Sequence, residues 1–191
     1  MVVYYSYQRV ERALCAVFEI PSSRRSKLRA RIKHMQKLGL KAAERPADGR
    51  AEYEQDGVDQ WLVALALMDN RADPVLAVRT IKANWRRAKG ESLPRKELAE
   101  IVRMARETPY DNERGIFLLL QGVSLPAEPE PLLTVGSVCP VRDINRGGKR
   151  EDLQNWKLLF SPQPRGFTLI PLSYLLHTLD AALAAPKETL P

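Results

Sequence analysis

The chain has 191 residues, a formal net charge of +7 and 45% hydrophobic residues. This length allows one ordinary domain or two small ones, and the hydrophobic content excludes a wholly disordered chain. Two widely separated cysteines exclude a disulfide framework, and no run approaches the ~20 apolar residues of a membrane span. Because the first residues lack a secretory signal pattern, we expect a cytoplasmic protein.

The excess positive charge lies in the first quarter of the chain. Residues 1–50 contain 12 Lys and Arg against 4 Asp and Glu, whereas charges of the two signs nearly balance in the remainder. Proteins that read nucleic acids concentrate basic residues in this way. The charge pattern therefore indicates a polyanionic partner for the N-terminal part.

The first predicted element is a helix over about residues 6–18. Its apolar residues from Val10 to Phe18 recur at the spacing of one helical face. Pro21 ends it, because proline disfavours helical geometry at the residue before it. Cys15 lies among these apolar positions, and we expect its thiol to be buried.

A second helix is predicted over residues 22–38, with an apolar line of Leu28, Ile32 and Met35 and a left-handed C-cap at Gly39. Residues 22–41 include eight basic residues and no acidic one, so the acidic partners at i±4 that surface helices ordinarily have are missing. An α-helix fits the major groove of B-DNA, where Arg binds guanine and Lys neutralises phosphates. Backbone N–H groups at the helix N-terminus also favour a phosphate. The predicted DNA contacts of this helix are Ser22, Ser23, Arg24, Arg25, Lys27, Arg29, Arg31, Lys33 and Lys37. The alternative is a solvated basic face.

A hairpin is predicted over residues 45–53, because a proline and an Asp-Gly pair separate two short segments there. Arg45 and Arg50 flank its turn, and we expect both to contact the DNA backbone. The alternative is an ordinary surface loop.

Three further helices follow, and Asp56 and Asp73 are the predicted N-caps of the first two. The third of them covers about residues 94–107. Trp61 and Trp85 stand at core spacing, so we expect them to be structural.

Beyond residue 108 the sequence predicts a small α+β part. Short apolar runs predict strands at 116–120, 132–138, 156–160 and 166–170, and residues 172–185 predict a closing helix. The predicted fold class is therefore α+β, with a mainly helical winged helix-turn-helix domain over 1–107. Residues 108–191 form a second domain, which we expect to dimerise or to bind a protein partner or a small-molecule effector.

Several motifs between Arg9 and Ile81 occur in a recognisable order. They are the short first helix, Lys37-Leu38-Gly39-Leu40, Arg45, the Gly-Arg-x-x-Tyr element at Gly49, Arg50 and Tyr53, Asp56-Gly57-Val58 with Trp61 and Leu65, and Asp73-Pro74. In this order they resemble the winged helix-turn-helix domain of the MerR family. The resemblance implies that residues 24–33 enter the major groove and that Arg45 and Arg50 of the wing touch the phosphate backbone.

These observations predict a sequence-specific transcriptional regulator that binds double-stranded DNA, and they favour a repressor or accessory regulator over a signal-gated activator. The alternatives are a phage- or recombination-type architectural or excision protein and, less favoured, an RNA-binding protein. RNA readers stack bases on aromatic side chains, and residues 22–41 contain none.

The two histidines and the scattered carboxylates form no catalytic constellation, so we expect no enzymatic activity, no cofactor and no metal. We expect a nucleoid-associated homodimer, because dimeric DNA readers place their half-sites about one helical turn apart.

Overall fold

A computed structural model describes residues 3–40, 52–70, 72–85, 98–108, 110, 116–121, 133–135 and 167–186. Within these ranges the chain is mainly helical with small antiparallel sheets, an architecture compatible with the predicted α+β class. The helices are α1 (Tyr7–Val17), α2 (Arg25–Lys37), α3 (Gln55–Asp69), α4 (Pro74–Asn84), α5 (Leu98–Glu107) and α6 (Leu172–Ala184). The strands are β1 (Tyr4–Ser6), β2 (Glu52–Glu54), β3 (Phe117–Gln121), β4 (Leu133–Val135) and β5 (Phe167–Pro171).

The chain divides into two compact units. The first comprises residues 1–99 together with residues 175–191, and the second comprises residues 100–174. The last segment of the chain thus belongs to the first unit, which differs from the single boundary predicted near residue 108. None of the described helices is long and apolar enough to cross a membrane.

Helix α2 ends as the sequence predicts. Gly39 has a left-handed φ of +91°, and the backbone N–H of Leu40 donates to the carbonyl of Met35 at 3.1 Å. Leu40 is itself buried. This is the hydrogen-bonding pattern of a Schellman motif, which satisfies carbonyls that the helix leaves without partners.

Helix α1 ends with the same hydrogen bonds but without a glycine. Glu19 takes the left-handed position with a φ of +49°, and the N–H of Ile20 donates to the carbonyl of Cys15 at 2.8 Å. A side chain at this position costs conformational energy that a glycine avoids. The end of α1 therefore stores a local strain.

From the sequence, the hydroxyls of Ser22 and Ser23 are the predicted N-cap groups of the second helix, and this prediction is wrong. Ser22–Arg24 form a short 3-10 turn after Pro21, and neither this turn nor α2 has a side-chain cap. The 3-10 turn places both serines ahead of Arg24, which is the residue at the N-cap position of α2. The two serine side chains are exposed.

Strand β2 pairs with β1, in antiparallel register with Tyr53 opposite Tyr5. The sequence pattern did not predict β1. Most of the predicted hairpin, residues 45–51, lies outside the described residues. The described end of the predicted hairpin, residues 52 and 53, belongs to β2. The chain passes directly from β1 into α1 and from β2 into α3.

Helix α3 is buried continuously from Gly57 to Leu67, as expected for a helix in the centre of a core. Its predicted N-cap is wrong, because Glu54 holds that position and Asp56 lies in the first turn. Asp56 instead accepts a hydrogen bond from the indole Nε1 of Trp85 at 3.0 Å. The carboxylate therefore joins the start of α3 to the end of α4.

Helix α4 begins as predicted. The side chain of Asp73 accepts hydrogen bonds from the backbone N–H groups of Val75 and Leu76 at 2.8 and 3.4 Å, and Pro74 occupies the first helical position. Trp85 is buried at the other end of the helix, as expected.

In the second unit, β3 lies between β4 and β5 in an antiparallel sheet, where the backbone register pairs Leu119 with Thr134 on one side and with Leu169 on the other. These strands confirm three of the predicted runs; the run at 156–160 lies outside the described residues. The N–H of Ile116 donates to the hydroxyl of Ser173 at 2.9 Å, and the N–H of Ser173 donates to the carbonyl of Ile116 at 3.2 Å. These two bonds fix the chain before β3 to the first turn of α6.

Candidate nucleic-acid interface

Helix α2 is anchored by its apolar line, as the sequence predicts. Leu28, Ile32 and Met35 are all buried, and α2 packs against α1. At 100° per residue, the positions opposite the line are Ser26, Ala30, Lys33 and Lys37, and all four are exposed. We call these four residues the outer face of α2.

Most cations of α2 and of the turn before it have no partner among the described residues. Within the described ranges, five basic side chains make neither a hydrogen bond nor an ion pair, although all are exposed. They are Arg24, Lys27, Arg31, Lys33 and Lys37. Uncompensated positive charge on one helix can take up phosphates and release the counterions that surround DNA.

Arg29 differs from these five cations, because its Nε donates to a carboxylate oxygen of Glu11 on α1 at 2.8 Å. The Glu11 side chain is only 5% exposed, whereas that of Arg29 is 56% exposed. The hydrogen bond and the charge of Glu11 raise the pKa of the Arg29 guanidinium. Arg29 therefore stays charged while one edge of its guanidinium is held against α1.

Arg25 also turns toward α1. Its side chain is half-buried, with a buried Nε, and it hydrogen-bonds the thiol of Cys15. Cys15 is buried, as predicted. Burial raises the pKa of its thiol, and the nearby positive charge of Arg25 opposes this only in part.

An aromatic cluster of Tyr7, Tyr53 and Trp61 joins α1 to β2 and α3. The ring of Tyr53 on β2 lies 5.9 Å from that of Tyr7 and 4.6 Å from that of Trp61, measured between centroids. Burial raises the pKa values of Tyr7 and Tyr53, and a hydrogen bond with Gln36 of α2 partly offsets the rise at Tyr53. Tyr53 thus links β2 to three helices.

The structure therefore brings together all the predicted contact residues of the second helix, and it separates them by environment. Arg25 and Arg29 engage α1, while the five partnerless cations and the two serines face solvent. The two predicted wing contacts, Arg45 and Arg50, lie outside the described residues. Within the part of the chain that the structure describes, no three His, Cys, Asp or Glu side chains are grouped to hold a metal ion.

Glu11 is the functional candidate that sequence reasoning missed. A signal was present, because Glu11 stands three residues before Leu14 on the apolar face of α1, where a carboxylate needs a partner. The partner is Arg29, 18 residues further along the chain. The pair joins two helices, so the i±4 spacing within α2 does not indicate it.

Comparison with known proteins finds no matching family model, no matching curated protein and no matching solved structure. The function is therefore inferred from the residues and geometry of α2 and its supports.

Proposed function

We propose that this protein is a transcriptional regulator, a repressor, that binds double-stranded DNA by inserting α2 into the major groove. The carrying observation is the set of five exposed cations, without partners among the described residues, around an outer face that contains no acidic residue. Small side chains at Ser26 and Ala30 let the helix backbone approach base edges closely. Lys33 and Lys37 continue the same face and are long enough to reach phosphates.

The arrangement around α2 supports this proposal. Helix α1 and α2 form a packed pair joined by a short turn, and the MerR-like winged helix-turn-helix implied by the sequence has the same order of elements. Strands β1 and β2 anchor both ends of the segment that contains the two helices and the predicted wing. Arg45 and Arg50 would then reach the phosphate backbone beside the groove that α2 enters.

The first experiment is selection of bound sequences from a random duplex library with the full chain. Affinity for the selected duplex is then measured by fluorescence anisotropy at salt concentrations chosen between about 50 and 300 mM. Over such a range, proteins with several phosphate contacts lose roughly 10³–10⁵-fold in affinity for DNA. We expect binding that weakens with salt. A chain that does not bind duplex DNA, or that prefers single-stranded RNA, contradicts the proposal.

A pair of variants tests the role of α2 directly. Lys33→Ala combined with Lys37→Ala should weaken binding and reduce the salt slope by about two units, since about 0.9 counterion is released per phosphate contact. Arg79→Ala combined with Arg103→Ala removes two exposed positive charges from α4 and α5 and is the matched control. Equal losses in both pairs would mean that only net charge matters.

A nucleoid-associated homodimer in the cytoplasm belongs to the same proposal. Light scattering of the full chain should give twice the monomer mass, and the selected sequence should be an inverted repeat. The full chain is needed, because residues 175–191 belong to the same unit as α2. A monomer on an asymmetric site would contradict the dimer and leave the role of α2 to be judged by the variants.

A further inference from the structure

The ion pair between α1 and α2 has a geometry suited to more than packing. Nε of Arg29 lies 2.8 Å from Oε1 of Glu11, the distance of a charge-assisted hydrogen bond. A guanidinium has five N–H donors, of which Nε supplies one. A bond at Nε fixes the plane of the group and leaves the two terminal nitrogens for another acceptor pair. The 56% exposure of Arg29 keeps the side chain accessible to such a ligand.

Stability alone does not account for a carboxylate at this position. Glu11 is flanked on α1 by the buried Val10, Ala13 and Leu14, so its side chain leaves water almost completely on folding. Desolvation of a buried ion pair commonly cancels its attraction, and apolar replacements are often neutral or stabilising. A carboxylate here does, however, supply what an apolar side chain cannot, which is a fixed acceptor for the Arg29 guanidinium.

A fixed guanidinium is useful for reading bases. A free arginine loses side-chain entropy when it is immobilised on a ligand, whereas Arg29 has already lost much of it on folding. A phosphate can be met by a mobile point charge, but O6 and N7 of guanine require two N–H groups in one defined plane. Arg29 also lies in the N-terminal half of α2, the part of a recognition helix that contacts base edges.

We propose that Glu11 is a positioning residue: from α1 it orients Arg29 so that the terminal nitrogens of its guanidinium bind one guanine edge in the major groove. This inference rests on the proposed function. Arg29 is the group that touches the base, and Glu11 acts only through it.

The test compares specific and non-specific binding at one salt concentration, with the full chain. The duplexes are the selected sequence, the same sequence with each G·C pair changed in turn to A·T, and an unrelated duplex. For the unaltered protein we expect one G·C pair in each half-site at which the change costs roughly 5- to 150-fold in affinity, the range of a bidentate base contact. Arg29→Lys keeps the charge but loses the two-pronged geometry, so this preference should disappear.

Glu11→Leu should erase the preference at the same base pair. Its affinity for the unrelated duplex should stay within about twofold or rise, because a negative charge has been removed. Glu11→Gln retains an oxygen that can accept from Nε and should restore the preference to within about threefold. A purely structural role for Glu11 would instead lower specific and non-specific affinity together, and that result would overturn the inference.

Circular dichroism establishes that each variant is folded. If Glu11→Leu does not fold, Arg29→Lys and Glu11→Gln decide: retention of the base preference in Arg29→Lys overturns the inference, and its loss there with retention in Glu11→Gln supports it. Failure of the proposed function looks different, because the unaltered protein would then show no salt-dependent duplex binding. If only the positioning role fails, salt-dependent duplex binding remains and Glu11→Leu keeps the preference for the same base pair.

Discussion

Replacing Glu19 by glycine should stabilise the protein, because Glu19 occupies the left-handed position at the end of α1 with a φ of +49°. A non-glycine residue pays about 1–2 kcal/mol for that conformation. Glycine loses about 0.5–1 kcal/mol more backbone entropy on folding. Glu19 is exposed, so its removal sacrifices no buried contact. The net expectation for Glu19→Gly is a gain of about 0.5–1 kcal/mol in the free energy of unfolding.

Urea unfolding at fixed pH and salt, followed by circular dichroism, measures this gain. Glu19→Ala is the matched control, since it removes the carboxylate but keeps the Cβ atom that makes the left-handed conformation costly. We expect Glu19→Gly to raise the unfolding midpoint and Glu19→Ala to leave it nearly unchanged. An equal gain in both variants would refute the conformational reasoning and assign the effect to the lost negative charge.

The reverse exchange at the end of α2 checks the same physics. Gly39 has a φ of +91°, and a Cβ added there would lie 2.9 Å from Nζ of Lys82. Because that atom ends a flexible side chain, it can move away, and the cost of Gly39→Ala comes mainly from the backbone. The left-handed conformation costs about 1–2 kcal/mol, the smaller backbone entropy of alanine offsets about 0.5–1 kcal/mol of it, and we expect a net loss of about 0.5–1 kcal/mol. Lys82→Ala should therefore not relieve the loss. Full relief in the double variant would show that the clash dominates instead.

Three further predictions concern single contacts. Asp73→Ala should lower the free energy of unfolding by about 1 kcal/mol through the lost N-cap, and Asp73→Asn should restore most of it; equal losses would contradict a capping role. Trp85→Phe removes the indole donor to Asp56 and should cost about 1–2 kcal/mol, with Asp56→Asn adding little in the same background, whereas fully additive losses would contradict the bond. In a Cys139→Ser chain, burial and a raised pKa should make the Cys15 thiol react with a disulfide reagent far more slowly in buffer than in urea, and equal rates would contradict its burial.

The features that sequence predicted correctly depend on neighbouring residues. The apolar line of α2, the left-handed Gly39 and the Asp73 cap each involve residues within about one helical turn. The bounds of α1 and α6 follow from the same periodicity. Because each of these features depends only on residues close in the chain, the sequence alone could locate them before the tertiary structure was known.

The features that sequence missed join residues far apart in the chain. Asp56 is not a cap because α3 already begins at Gln55, and its carboxylate instead accepts a hydrogen bond from Trp85, 29 residues later. Arg25 and Arg29 stand off the apolar line of α2, and the helical wheel alone assigns them to an open surface. The structure gives both a partner on α1, so replacing them together with alanine would leave Glu11 buried without its cation and lower stability as well as affinity.

The return of the chain to its first unit has a consequence for how the protein is made. Residues 1–99 emerge from the ribosome before residues 100–174, yet the first unit also includes residues 175–191. Within that unit the guanidinium of Arg9 donates to the carbonyl of Leu183, near the end of α6. Such long-range closure is slow, because distant segments must meet before their contacts stabilise anything. The nascent chain would therefore carry a basic helix on an incomplete support until α6 is synthesised, and competence for the proposed DNA binding would come late in translation.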